Sequence, residues 1–128
     1  MQLGYTLLYV KDVSTTVEFY EKAFKIKRSF IHESGTYAEM NTGSTKLGFC
    51  NIDHVKNMGF AFTEVSTRVI PPGIEIGFVT ENVKGAHAHA VNAGAINVLD
   101  PVSKPWGQEV SYVRDCNGFL VEICSPIQ

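Results

Sequence analysis

One β-α-β-β-β pattern occurs twice along the chain, and this repeat limits the folds open to it more than any other feature. Laid one over the other, Tyr5 falls on Glu75, an offset of 70. At the same offset Val13, Val17, Tyr20 and Phe24 fall on Val83, His87, Ala90 and Gly94. Across the last strand the offset becomes 74, so Gly48 falls on Glu122 and Cys50 on Cys124. Two matching units imply a duplicated, pseudo-twofold architecture of class α+β.

The elements follow from hydrophobic period and turn chemistry. Leu3 to Val10 is a continuous apolar and aromatic run that reads as a buried strand. The helix after it carries Val13, Val17, Tyr20 and Phe24 on one face, with Thr15 and Glu18 at capping-box spacing. Extended stretches follow at Lys27 to His32, Tyr37 to Asn41 and Lys46 to Asn51, separated by Gly35 and Gly43. Residues 52–73 are looser and end in Pro71-Pro72-Gly73, a linker or turn signal. Ile74 to Thr80 restarts as a strand. Val83 to Ala93 is an alanine-rich helix ending at Gly94, where a left-handed cap is expected. Ala95 to Leu99 reads as a strand and Pro101 to Pro105 as a loop. Val110 to Val113 and Phe119 to Cys124 then form a hairpin about Asp115-Cys116-Asn117-Gly118. The predicted organisation is one domain over 1–128, with module one at 1–51, a connection at 52–73 and module two at 74–128.

Composition excludes several function classes. A formal charge of −2 with scattered basic residues argues against a nucleic-acid partner held through phosphates. No apolar run approaches the length of a membrane span, and the N-terminus lacks the small-residue cleavage site of a signal peptide. The three cysteines, Cys50, Cys116 and Cys124, are odd in number and form no C-x-x-C, which reads as reduced thiols in a cytoplasmic protein.

Three segments carry a family likeness: YTLLYVKDVSTTVEFYEKAF, IEIGFVTENVKGAHAHAVNAGA and PWGQEVSYVRDCNGFLVEI, the last with a D-x-x-G-x-x-x-E ending at Asp115, Gly118 and Glu122. Together they resemble the vicinal oxygen chelate superfamily, which includes glyoxalase I, extradiol dioxygenases and the fosfomycin- and bleomycin-resistance proteins. The resemblance implies two βαβββ modules in tandem, their mixed sheets curving around a ligand cleft, and a homodimer. It also implies a divalent metal held by side chains on the first and last strands of each module. By position those places are Tyr5, Gly48, Glu75 and Glu122. Glu122 alone matches the usual ligand type, Gly48 offers no side chain, and Glu75 stands where a histidine is expected. No cofactor is therefore expected. If a metal binds, Glu75 and Glu122 hold it with waters filling its other positions. The histidines offer no substitute: His32 and His54 lie in or beside turns, and His87 and His89, two apart on a helix, point to different sides. His87 falls on the core stripe.

Strand alternation gives the ligand face instead: Tyr5, Leu7 and Tyr9, then Lys46, Gly48 and Cys50, then Glu75, Gly77 and Val79, and finally Glu122 and Cys124. Tyr112 and Trp106 of the closing hairpin join the expected binding residues. Glycines at 48 and 77 are expected to leave room over the sheet. Tyr5, Tyr9 and Trp106 supply flat apolar surface, and Glu75 and Glu122 favour a cationic or hydrogen-bond-donating guest. The resemblance then points to the metal-free, sequestering members of the bleomycin-resistance kind: a small-molecule binding protein for a cationic or aromatic ligand. Three alternatives stand beside it. One is a metalloenzyme of lyase, isomerase or dioxygenase type with a hydrated ion on Glu75 and Glu122. Another is proton abstraction by one of those glutamates. The last is a vestigial cleft that serves a protein partner.

Overall fold

The first strand of each half pairs in parallel with the last, and every other pairing is antiparallel. That arrangement gives both sheets one helix-covered and one open face. The structure is a computed structural model and describes residues 1–127. Its chain divides into two compact units, Met1–Val65 and Ser66–Gln128.

In the first unit, β1 (Tyr5–Val10), α1 (Val13–Phe24), β2 (Arg28–Ile31), β3 (Tyr37–Met40), β4 (Lys46–Asn51) and the short α2 (Ile52–Lys56) follow in chain order. The sheet order is β1-β4-β3-β2. Alternation places Leu8, Val10, Leu47, Phe49, Ala38 and Met40 under the helix, all buried. They meet Val13, Val17 and Tyr20 of α1, and the Tyr20 ring lies 4.9 Å from that of Phe49. Each fully buried side chain of this size contributes roughly 1.5–3 kcal/mol of burial. The helix begins earlier than the capping-box pattern predicts. Asp12 is the N-cap and its carboxylate accepts the Thr15 N–H at 2.9 Å. A Thr15 cap would have left the first turn outside the helix, with Val13 unable to join the buried stripe.

In the second unit come β5 (Glu75–Val79), α3 (Val83–Asn92), β6 (Ile96–Ser103), β7 (Glu109–Arg114) and β8 (Leu120–Cys124), in sheet order β5-β8-β7-β6. Val121, Ile123, Val113 and Ser111 lie buried on the helix side, against Val83, His87 and Ala90 of α3. His87 is a core histidine, its Nε2 2.7 Å from Asn97 Oδ1. Gly94 takes φ 112° just past α3, the left-handed position expected of it. The loop predicted at Pro101 to Pro105 is in large part strand. β6 continues to Ser103 through register shifts on either side of Leu99. As the outermost strand of its sheet it tolerates Pro101, which falls within the register shift between Leu99 and Val102.

The two ladders obey both sequence offsets. Leu7 opposes Gly48 as Gly77 opposes Glu122, and Tyr9 opposes Cys50 as Val79 opposes Cys124.

The hairpin turn carries the second unit's densest hydrogen bonding. Asp115 is fully buried, and its Oδ1 accepts the N–H groups of Asn117, Gly118 and Phe119 at 2.9, 2.8 and 2.9 Å. Arg114 donates to the carbonyls of Gly118 at 2.9 Å and Ser66 at 2.8 Å. The middle of the 52–73 connection is thus anchored by side chains. Lys56 pairs with Glu64 at 2.9 Å and Phe62 packs edge-on against Tyr9 in the first unit, while Arg114 grips residue 66 in the second.

Candidate functional site

On the open face of the second sheet, Glu75 and Glu122 lie on adjacent strands, with Glu122 directly across from Gly77. A Cβ at Gly77 would stand 3.5 Å from Glu122 Oε1. That is an ordinary contact distance, so the Glu122 carboxylate lies alongside position 77 without strain. Tyr112, opposite Glu122 on β7, donates its hydroxyl to Glu122 Oε2 at 2.9 Å. The Tyr112 hydroxyl is pushed up to about 12, first by burial and then by its bond to that carboxylate, so it remains a donor at neutral pH. The Glu75 carboxyl is also raised, by partial burial and then by the neighbouring Glu122 charge. Among the described residues no Lys, Arg or His forms an ion pair with either glutamate.

Trp106, in the turn between β6 and β7, is 57% exposed. Its Nε1–H donates to Gln108 Oε1 at 2.8 Å, and Gln108 in turn donates to the Ser125 carbonyl at 3.0 Å, one residue beyond β8. The indole is thereby tied through Gln108 to the end of β8. Gln108, which fixes it, was not among the expected site residues. Its alternation with Trp106 was a readable signal.

On the open face of the first sheet, Tyr5 is 58% exposed, while Leu7, Tyr9 and Lys46 are half-buried. Tyr9 is in contact with Phe62, ring centroids 4.9 Å apart. The room expected over Gly48 is absent. A Cβ there would come within 2.7 Å of Leu7 Cδ2, 3.0 Å of the Ala38 carbonyl and 3.4 Å of the Tyr37 hydroxyl. Gly48 is a close-packing glycine, and its neighbours occupy the place a ligand side chain would take.

The profile of the glyoxalase-like domain family matches residues 3–128. The chain belongs to that family. Its place in the vicinal oxygen chelate superfamily follows, and solved structures share the fold. A glyoxalase-related enzyme from Fulvimarina pelagi superposes with a TM-score of 0.83 at 19% identity, over 98% of this chain and 88% of that one. A glyoxalase/bleomycin resistance protein/dioxygenase family enzyme from Burkholderia phytofirmans PsJN gives 0.80 at 19% identity, over 100% of both chains. No curated protein sequence matches the chain closely enough to count as a relative.

The family's metal set does not fit the residues present. Of the four positions the glyoxalase-like family uses, 48 has no side chain and no space for one, and 5 carries an exposed phenol. Among the described residues no group of three or more His, Cys, Asp or Glu is arranged to hold an ion. Glu75 and Glu122 remain as a carboxylate pair in an otherwise apolar and phenolic setting.

The same face makes two solution predictions. Glu75 binds its proton more tightly folded than unfolded. Stability it contributes at low pH is therefore lost as pH rises through the raised value. Glu75→Gln is expected to melt above wild type near neutral pH, with the difference shrinking as pH falls below the ordinary glutamate range of about 4.3. Equal melting points across that range would show that neither burial nor Glu122 disfavours the Glu75 charge. The second prediction concerns thiols. Cys124 is buried and pushed up to about 11 by burial and then by Glu122, and Cys50 is buried and raised by the same desolvation. Cys116 is exposed. Brief iodoacetamide treatment of the folded protein is expected to add one adduct per chain, at Cys116. Rapid adducts at Cys124 would contradict the buried, protonated thiol.

Proposed function

We propose that this glyoxalase-like protein binds a small cationic ligand with a flat apolar body, and that binding needs no metal. The observation that carries this reading is the Glu75–Glu122 pair, two carboxylates on one sheet face with no cation paired to them among the described residues. Partial burial and then the neighbouring Glu122 raise the cost of ionising Glu75, and a positive group between the two relieves that cost. Tyr112 orients Glu122, and the exposed indole of Trp106 offers a stacking and cation–π surface at the end of the face. Gly77 keeps the floor low. This is the chemistry of sequestration: recognition by charge and shape, with no bond made or broken.

The homodimer implied by the resemblance belongs to the same proposal. Its support is the apolar surface left exposed along β6 at Ile96, Val98, Leu99 and Val102. Sedimentation at micromolar concentration reads it.

Benzamidinium, a planar aromatic cation, is a suitable first probe. It is expected to raise the melting temperature saturably, since it binds the folded state alone. Glu122→Gln should weaken that binding about tenfold, the scale of a charge-assisted hydrogen bond. An unchanged affinity in Glu122→Gln would remove the electrostatic basis of the proposal.

A further inference from the structure

We infer that the first unit carries its own binding subsite for a cationic, hydrogen-bond-donating group, built on Glu39 and Tyr37 of β3. The two sheets differ at one register row. In the second unit the row reads Gly77, Glu122, Tyr112, with the carboxylate on the strand next to β5. In the first unit the equivalent row reads Leu7, Gly48, Glu39. The carboxylate that Gly48 cannot supply stands one strand further out, directly across the ladder from it, on the same open face.

The surroundings of Glu39 are those of a polar anchor in an aromatic frame. Tyr37, two residues earlier on the same face, donates its hydroxyl to Glu39 Oε2 at 2.6 Å. Burial and then the carboxylate raise the Tyr37 hydroxyl, so it stays a donor. Among the described residues no second donor reaches this carboxylate and no cation pairs with it. Lys46 shares the face without forming an ion pair. Phe30, opposite Glu39 on β2 and 43% exposed, stands with its ring 5.9 Å from that of Tyr37. On the other side of Cys50, Tyr9 and Phe62 form the second aromatic pair. Both units thus keep a phenol-to-carboxylate bond on the open face, although the residues that make it differ. The ligand class is that of the proposed function, on which this inference rests; the location is independent of it.

Backbone-amide NMR of the full chain, titrated with benzamidinium, separates the two. Amides around 37–39 and 48–50 are expected to move saturably. Glu39→Gln should weaken that response about fivefold, as for a partly exposed charge pair, and Glu122→Gln should leave it unchanged. Benzamide, the neutral analogue of the same shape, should leave these amides still in the wild-type protein, which keeps the test independent of any variant's folding. Three results would overturn the inference: no movement in the first unit, an unaltered response in well-folded Glu39→Gln, or equal movement with benzamide. Movement around 37–50 with none around 75–77 and 120–124 would support this subsite and refute the proposed function.

Discussion

Gly118→Ala is expected to lower stability by about 3 kcal/mol or more, a melting-temperature drop of roughly 10 °C or beyond for a chain of this size. Two independent penalties coincide there. Gly118 takes φ 109°, a conformation that a Cβ disfavours. The added carbon would also meet the Ser66 carbonyl carbon and oxygen, and Arg114 Nη2, each at 2.8 Å. The arginine can swing aside, but it is the group that holds the Ser66 carbonyl, so moving it releases that contact. Loss is expected in the second unit, at the turn that sets the β7–β8 register and hence places Tyr112 opposite Glu122. Thermal unfolding of Gly118→Ala against wild type measures it. A shift of only a degree or two would mean that the turn and residue 66 relax at little cost.

Gly48→Glu, which would restore the carboxylate of the family's metal set, is expected to damage the protein and create no metal site. The Cβ alone is overpacked, at about 1–3 kcal/mol, because the Ala38 carbonyl is ladder backbone even though the end of Leu7 can yield. The charge adds desolvation on the order of several kcal/mol at a buried position, with Glu39 directly across the strand pair. Gly48→Ala isolates the first term. A well-folded Gly48→Glu whose melting point rises saturably with Mn²⁺ would show that position 48 accepts the ligand after all.

Much of the architecture was legible because it rests on periodicity. The stripe Val13, Val17, Tyr20 and Phe24 needs only helical spacing, and the offsets of 70 and 74 matched equivalent residues of the two modules, an equivalence that the two ladders repeat. Where the reading slipped, a competing local signal was at work. Thr15 and Glu18 match a capping box, yet Asp12 caps the helix, since Val13 must lie inside it to be buried. Pro101 looks like a strand end, but it falls in an irregular stretch of an edge strand, where a missing N–H is tolerated. Gly48 is the instructive site residue. A glycine on a sheet face signals either an opening or a close approach, and the choice depends on the Leu7 and Tyr37 side chains from two other strands. Single-sequence alternation carries no such information. Glu39 and Tyr37 went unnoticed for a related reason: on their own strand they look like an ordinary solvated face, and only the ladder brings Glu39 across from Gly48.

The central claim is that the Glu75–Glu122 face binds a cation without a metal. Calorimetric titration of chelator-treated protein with benzamidinium, at low ionic strength and near neutral pH, tests it most directly. Saturable binding that is indifferent to the chelator is expected, weakened in Glu75→Gln and Glu122→Gln, and reduced by salt as a surface charge interaction must be. Absence of binding in the stripped protein, with binding restored by Mn²⁺ and lost again in the same two variants, would contradict it and make the carboxylate pair a metal site.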